Sequence, residues 1–240
     1  RKTFVGLEEL KHEGALWRGI LAEFLGTLLL VFLSTGGCLV WDSNTPNSPR
    51  GAFDTGFALI ILITALGHVS GCQINPAISI SCLISGQNSL IKTLLYVPVQ
   101  VIGATLGSLL LKAITPVEIQ GTLCSTSVHA ALTPLQAVLT EVIGTAVLLL
   151  IIQAVTDEGR LKEVGHHGPM AVGMAVISVI LFSGAYTGGS LNPARSFGPA
   201  LVSNTLQGLW IYWLGPIAGG IIGTLFYMLV LRVPKDDKVK

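Results

Sequence analysis

Gly71-Cys72-Gln73-Ile74-Asn75-Pro76-Ala77 and Gly188-Gly189-Ser190-Leu191-Asn192-Pro193-Ala194 carry the same Asn-Pro-Ala triplet after a glycine-led approach, each inside otherwise apolar sequence. Proline suits the first turn of a helix and costs about 3 kcal/mol in its interior, and asparagine is among the best N-caps, so each triplet predicts a helix start. The segments that follow, Asn75 to Ser85 and Asn192 to Ser203, are too short to cross a bilayer. A helix that begins at membrane depth turns its free N–H groups and positive dipole end into the cavity it faces. Broken backbone is tolerated there only beside protein or a water-filled space. Two such ends in matching halves point to a pore.

The composition supplies the membrane. Of the residues, 51% are hydrophobic and 11% charged, with a mean hydropathy of +0.71, against about 25% charged in a soluble domain. Apolar runs extend from Leu16 to Trp41, Phe53 to Val69, Leu90 to Ala113, Leu135 to Thr156, Pro169 to Ala185 and Leu209 to Val233, and each approaches or exceeds a bilayer span. Six crossings put both termini on one side. Arg1, Lys2, Lys11 and Arg18 before the first span, Lys92, Arg160 and Lys162 in connections, and Arg232, Lys235, Lys238 and Lys240 at the end all share that side. Only Arg50 and Lys112 lie opposite, so the positive-inside rule predicts cytoplasmic termini; the expected location of this multi-pass protein is the plasma membrane. Arg195 is left as the single cation within the membrane region. The first run is too long for a cleavable signal and ends in no small-residue cleavage site. A net charge of +1 gives no argument for nucleic acid.

Internal repetition converts the spans into an architecture. Ala22-Glu23-Phe24-Leu25-Gly26-Thr27 matches Thr140-Glu141-Val142-Ile143-Gly144-Thr145 at a shift of 118, the triplets recur at 117, and Tyr96, Gly103 and Gly107 match Tyr212, Gly219 and Gly223 at 116. The expected fold is all-α: six transmembrane helices and two re-entrant half-helices, one channel domain over 1–240 built of two repeats, about 16–113 and 135–233, with terminal tails. Three crossings per repeat make the second copy inverted, which brings the two positive half-helix ends together near the midplane. The four glycines on the spans predict close helix packing within the subunit.

With these residues in view, the chain resembles the aquaporin (major intrinsic protein) family over almost its whole length. The stretches Gly67 to Ala77 and Tyr186 to Pro199 look like that family's two pore loops, the second with Arg195 directly after its triplet. The resemblance implies a homotetramer in lipid whose subunits each hold a pore for water and small uncharged solutes, with no cofactor, no metal and no catalysis. Asn75 and Asn192 would donate amide hydrogen bonds at the midplane. Carbonyls of Gly71, Cys72, Gln73, Gly188, Gly189 and Ser190 would form the acceptor ladder. Half-helix ends and Arg195 would raise the barrier to protons and cations. Glu23 and Glu141 are expected to pin the pore loops through their N–H groups, and His68 to line the cytoplasmic vestibule. Alternatives are a buried Arg195 ion pair with either glutamate, or a proton relay through the glutamates.

The expected filter departs from that of orthodox water channels. Thr55, 20 residues before Asn75, stands where phenylalanine is usual; Ile180, 15 before Arg195, replaces the usual histidine; Gly189, three before Asn192, replaces cysteine or threonine. Such an opening suits glycerol or urea. Phe57 is the competing alignment for Thr55. Ser196, Ala200 and Tyr212-Trp213 are nevertheless water-channel features, a combination similar to the insect entomoglyceroporins. An orthodox water-selective pore is the second reading.

Other expectations are plainer. Cys38, Cys72, Cys82 and Cys124 form no close pair in sequence and no metal-like spacing, and are read as apolar packing, with Cys72 on a pore-facing loop. His166 and His167 follow a charged connection and are read as a solvated loop rather than a pH sensor. Asp42 to Arg50 is an exposed loop whose Asn44 and Asn47 lack a Ser or Thr two positions on. An ion-coupled transporter would need a coupling site that only Glu23 and Glu141 could provide, and a junction scaffold would need a specialised outer surface.

Overall fold

The computed structural model describes residues 4–11, 13–41 and 49–233. Asn44, Asn47, Arg1, Lys2, Lys235, Lys238 and Lys240 lie outside them. In chain order the helices are α1 (Glu13–Gly36), α2 (Arg50–Ser70), α3 (Pro76–Ile84), α4 (Leu90–Ile114), α5 (Val117–Gln120), α6 (Pro134–Thr156), α7 (Leu161–Val164), α8 (Gly168–Thr187), α9 (Pro193–Val202) and α10 (Ile211–Phe226). A 3-10 turn at Leu7–Lys11 precedes α1, another at Gly165–His167 leads into α8, and a π-helical turn, Tyr227–Leu231, extends α10. Helices α1, α2, α4, α6, α8 and the extended α10 are long and apolar enough to cross a membrane. The described residues hold no strand.

Two half-helices and six spans thus occupy the expected places, with shifted ends. The first span stops at Gly36 rather than near Trp41, and the second begins at Arg50. Arg18 lies on the exposed face of α1 rather than before it, and Lys92 lies in the first turn of α4. Long charged side chains at helix ends can reach the interface from such positions.

The packing comes in pairs that the repeat exchanges. α1 packs on α4 as α6 packs on α10, α1 on α2 as α6 on α8, and α2 crosses α8 at the centre. The half-helices cross over: α3, of the first half, lies chiefly against α10 of the second, and α9 lies against α4. One end of the bundle gathers the starts of α1, α4 and α8 with the ends of α2, α3, α6 and α10. There Leu90 N–H donates to Phe4 O, Gln87 donates to Thr156, and Arg232 stands 3.7 Å from Asp157. The other end gathers the ends of α1, α4, α8 and α9 with the starts of α2, α6 and α10. The two halves therefore run through the bundle in opposite senses.

Glycine permits these approaches. A Cβ on Gly103 or Gly107 would overlap the carbonyls of Phe24 and Leu28 on α1, and a Cβ on Gly219 or Gly223 would overlap those of Val142 and Ala146 on α6. The four sites and their partners are repeat equivalents, so one packing solution is used twice. Outside, Trp17, Leu21, Phe57, Ile61, Leu94 and Ile102 are exposed, an apolar belt suited to hydrocarbon.

One expectation is overturned. Cys38, just beyond α1, is disulfide-bonded to Cys124, between α5 and α6, with Cα atoms 6.1 Å apart. The sequence separation of 86 hides a pair that the fold brings to one end of the bundle. Cys72 and Cys82 are free and buried.

Gly103→Val should cost about 1–3 kcal/mol by overpacking, lowering the melting temperature in detergent. Gly14→Ala, where a Cβ meets nothing within 4 Å, should be neutral or slightly stabilising. Equal melting of Gly103→Val and native protein would contradict the close approach of α1 and α4.

Candidate functional site

The two triplets cap their helices as their residues dictate. Asn75 Oδ1 accepts from Ala77 N at 2.9 Å, and Asn192 Oδ1 accepts from Ala194 N at 3.0 Å and Arg195 N at 3.3 Å. Proline follows each as the first helical residue, where its missing N–H costs nothing. Each amide then crosses to the other loop: Asn75 Nδ2 donates to Leu191 O at 2.8 Å, and Asn192 Nδ2 donates to Ile74 O at 2.9 Å. The half-helix starts are thereby tied tip to tip. An amide nitrogen carries a second hydrogen, and both asparagines border the central cavity.

The approach loops are held in backbone that ordinary residues avoid. Cys72 (φ 45°), Ile74 (φ 41°) and Leu191 (φ 56°) are left-handed, as are Gly71, Gly188 and Gly189. For a β-branched residue such as Ile74 this is a true outlier, at a cost of order 1–3 kcal/mol per residue. Two fully buried carboxyl groups offset it. Glu23 accepts from Ser70 Oγ (2.6 Å), Gln73 N (2.8 Å), Ile74 N (2.5 Å) and Gln100 Nε2 (2.8 Å). Glu141 accepts from Thr187 Oγ1 (2.6 Å), Ser190 N (3.0 Å) and Leu191 N (2.9 Å). Each such hydrogen bond contributes about 0.5–1.5 kcal/mol net, so three or four to one carboxyl group offset strain of this order. One turn beyond each glutamate, Gly26 and Gly144 leave room for the side chains of Ile74 and Leu191, which a Cβ would meet at 2.7 and 2.8 Å. The repeated Glu-x-x-Gly thus receives both the N–H and the side chain of one loop residue.

A cavity of about 930 Å³ runs along these elements. At its mouth near the termini stand His68, Lys92 and His166; deeper lie Gly71, Cys72, Gln73 and the two asparagines; beyond them come Thr55, Ile180 and Arg195. Leu30, Leu59, Ile78, Leu148 and Val176 form a greasy wall. Of the expected carbonyl ladder, Gly71, Cys72, Gln73 and Ser190 border the cavity, whereas Gly188 and Gly189 are not among its lining residues. Gly188 is packed against Thr126. At Gly189 a Cβ would meet Ile180 Cγ2 at 3.1 Å with φ at +63°, so this position favours glycine beside isoleucine. Thr55 is buried and lines the cavity, while Phe57 is 53% exposed on the outside of α2.

Arg195 is buried and makes no ion pair with Glu23 or Glu141 among the described residues; its Nη1 donates to Cys124 O at 3.0 Å. His166, read from sequence as solvated loop, reaches the cavity mouth. Sequence reasoning missed three supports. Ser70 and Thr187, 117 apart like the triplets, share the glutamates' work and could have been found by extending the repeat. Gln100 bridges Glu23 and Ser79. Gln73 and Asn88 exchange a pair of amide hydrogen bonds, both 2.9 Å.

Glu141→Gln places an amide where the loop N–H groups need acceptors, and should reduce water permeability of reconstituted protein by about tenfold, roughly 1.4 kcal/mol of barrier; unchanged flux would show the loop needs no such anchor. A mercurial that blocks flux should lose its effect in Cys72→Ser and keep it in Cys82→Ser, as measured by stopped-flow light scattering.

The family model described as major intrinsic protein matches residues 9–227. Aquaporin-2 of Rattus norvegicus is 42% identical over 214 residues, 89% of this chain and 79% of that protein. The lens fiber major intrinsic protein of Lithobates pipiens is 38% identical over 90% of this chain and 81% of its own length. Among solved structures, the aquaglyceroporin from Plasmodium falciparum superposes with a TM-score of 0.81 at 25% identity, covering 90% of this chain and 97% of that one. Six apolar spans, paired half-helices capped by Asn75 and Asn192, and these similarities establish that the chain belongs to the major intrinsic protein (aquaporin) family, whose members are membrane channels rather than enzymes.

Proposed function

We propose that the protein is a passive channel for water and for small neutral solutes such as glycerol and urea, closed to protons and ions. The observation that carries the wider substrate range is the wall opposite Arg195, where Thr55 and Ile180 line the cavity. A bulky aromatic or an imidazole at these places would narrow the opening and add a donor for water. Isoleucine instead offers an apolar surface for the carbon edge of a polyol, while hydroxyls or amides use the guanidinium and the loop carbonyls. Two amides at the asparagine pair, two positive helix ends and a buried cation oppose the passage of protons and cations. This combination of a water-channel scaffold and a glycerol-permissive filter is the one expected of entomoglyceroporins. The similarity to an aquaglyceroporin structure agrees with it, and the similarity to aquaporin-2 favours the alternative of a water-selective pore. A homotetramer in the plasma membrane with cytoplasmic termini completes the reading, supported by family membership and by the charge distribution.

Stopped-flow light scattering on proteoliposomes separates the two substrate ranges. Native protein should admit glycerol and urea well above empty vesicles. Ile180→His should slow both by about tenfold, close to 1.4 kcal/mol of added barrier, while water flux is largely kept. Rapid water flux with glycerol entry equal to that of empty vesicles would leave the water-selective reading.

A further inference from the structure

The connection between α4 and α6 supplies, among the described residues, every hydrogen bond made by the Arg195 side chain. Nη1 donates to the Cys124 carbonyl at 3.0 Å and Nη2 lies 3.8 Å from the Cys124 sulfur, while Nε is buried without a partner. A guanidinium is a rigid fork of donors. With one oxygen acceptor engaged, its direction follows the place where that carbonyl is held.

That place is unusual. Leu123 (φ 51°) and Cys124 (φ 54°) are consecutive left-handed residues that are not glycine, a conformation that persists where surroundings over-determine it. Leu123 is buried in a small apolar cluster with Leu39 and Leu111. Cys124 is bonded to Cys38 at the end of α1, the helix that also carries Glu23. On its other side the connection is attached to the half-helix itself: Thr126 Oγ1 donates to Ser196 Oγ at 2.7 Å, and the hydroxyls of Ser125 and Ser203 are 3.2 Å apart. Hydrogen bonds thus join this segment to the element that bears Arg195, and a covalent bond joins it to α1.

We infer that the Cys38–Cys124 disulfide is a specificity-determining positioning device: it fixes the Cys124 carbonyl relative to α1 and thereby sets where the Arg195 guanidinium stands across from Thr55 and Ile180. The inference rests on the reading of Arg195 as a filter residue. Opening the bond leaves the hydroxyl contacts to α9 in place, so the pore persists. The carbonyl is no longer referenced to α1, and the guanidinium that follows it admits wider solutes. Discrimination changes rather than flux.

The test uses the full chain in proteoliposomes and reads the ratio of glycerol to water permeability. The Cys38→Ser, Cys124→Ser double variant is compared with native protein, and the same pair of changes is made in an Arg195→Val background. Opening the clip should raise the ratio by about threefold or more, within the range seen for groups that couple by contact. In the Arg195→Val background it should change nothing further. An equal change in both backgrounds, or an unchanged ratio beside an altered one in Arg195→Val alone, overturns the inference and leaves the filter reading standing. An unchanged ratio in Arg195→Val by itself removes the filter reading and the inference together. If the double variant does not fold, native vesicles treated with a trialkylphosphine decide the matter. Phosphorus attacks one sulfur, the S–S bond breaks, and with one water the products are two thiols and the phosphine oxide. The ratio must then rise with the count of freed thiols, and a constant ratio at full reduction contradicts the proposal.

Discussion

Everything at the centre of this protein depends on one constraint: backbone that leaves its helix at membrane depth must find partners for its N–H groups within the protein. Glu23 and Glu141 provide them. Each carboxyl group takes two consecutive loop N–H groups and one hydroxyl, and Glu23 takes the Gln100 amide as well. With the N–H groups turned to the glutamates, the loops can bring carbonyls to the opposite side, as Ile74 O and Leu191 O do toward the facing asparagines. Burying two carboxyl groups is costly in isolation. Here their donors come from the loops themselves, so desolvation and loop strain are offset by one set of bonds.

The inverted repeat explains why this works twice. α3 and α9 each lodge against the last helix of the opposite half, so each half-helix packs on a surface that the other half supplies. The glycine contacts of α1 with α4 and of α6 with α10 bring the glutamate-bearing helices close enough to hold the loops. Symmetry stops at functional detail. Where Gln100 supports Glu23, the equivalent position near Glu141 is Pro216, and where Arg195 follows the second triplet, Ile78 follows the first.

This division also governs what could be read from sequence. Features used twice are legible: the triplets, the Glu-x-x-Gly pair and the spaced glycines recur at offsets of 117, 118 and 116 and point to the half-helices, the anchors and the close crossings. Thr55 follows from counting back from Asn75 through one pore loop into α2. Features used once and closed by distant chain segments stayed hidden. Nothing local marks Cys38 and Cys124 as partners, since topology alone brings the end of α1 and the connection before α6 to the same end of the bundle. The Gln73–Asn88 amide pair likewise depends on how α3 turns back toward α4. Helix ends moved by a few residues because hydropathy reports burial in lipid, whereas caps such as Ser89, which accepts from Lys92 N at 3.1 Å, decide where helices start.

The central claim is that two broken helices, pinned by buried carboxyl groups, form a permanent polar path across the membrane that passes neutral molecules and no charge. It is tested most directly by measuring osmotic water flux against temperature in proteoliposomes while recording proton current under an imposed voltage. The account predicts a shallow temperature dependence, near that of free diffusion in water, with no proton current above empty vesicles. A temperature dependence as steep as that of bare lipid, or a proton current that scales with protein, would contradict it.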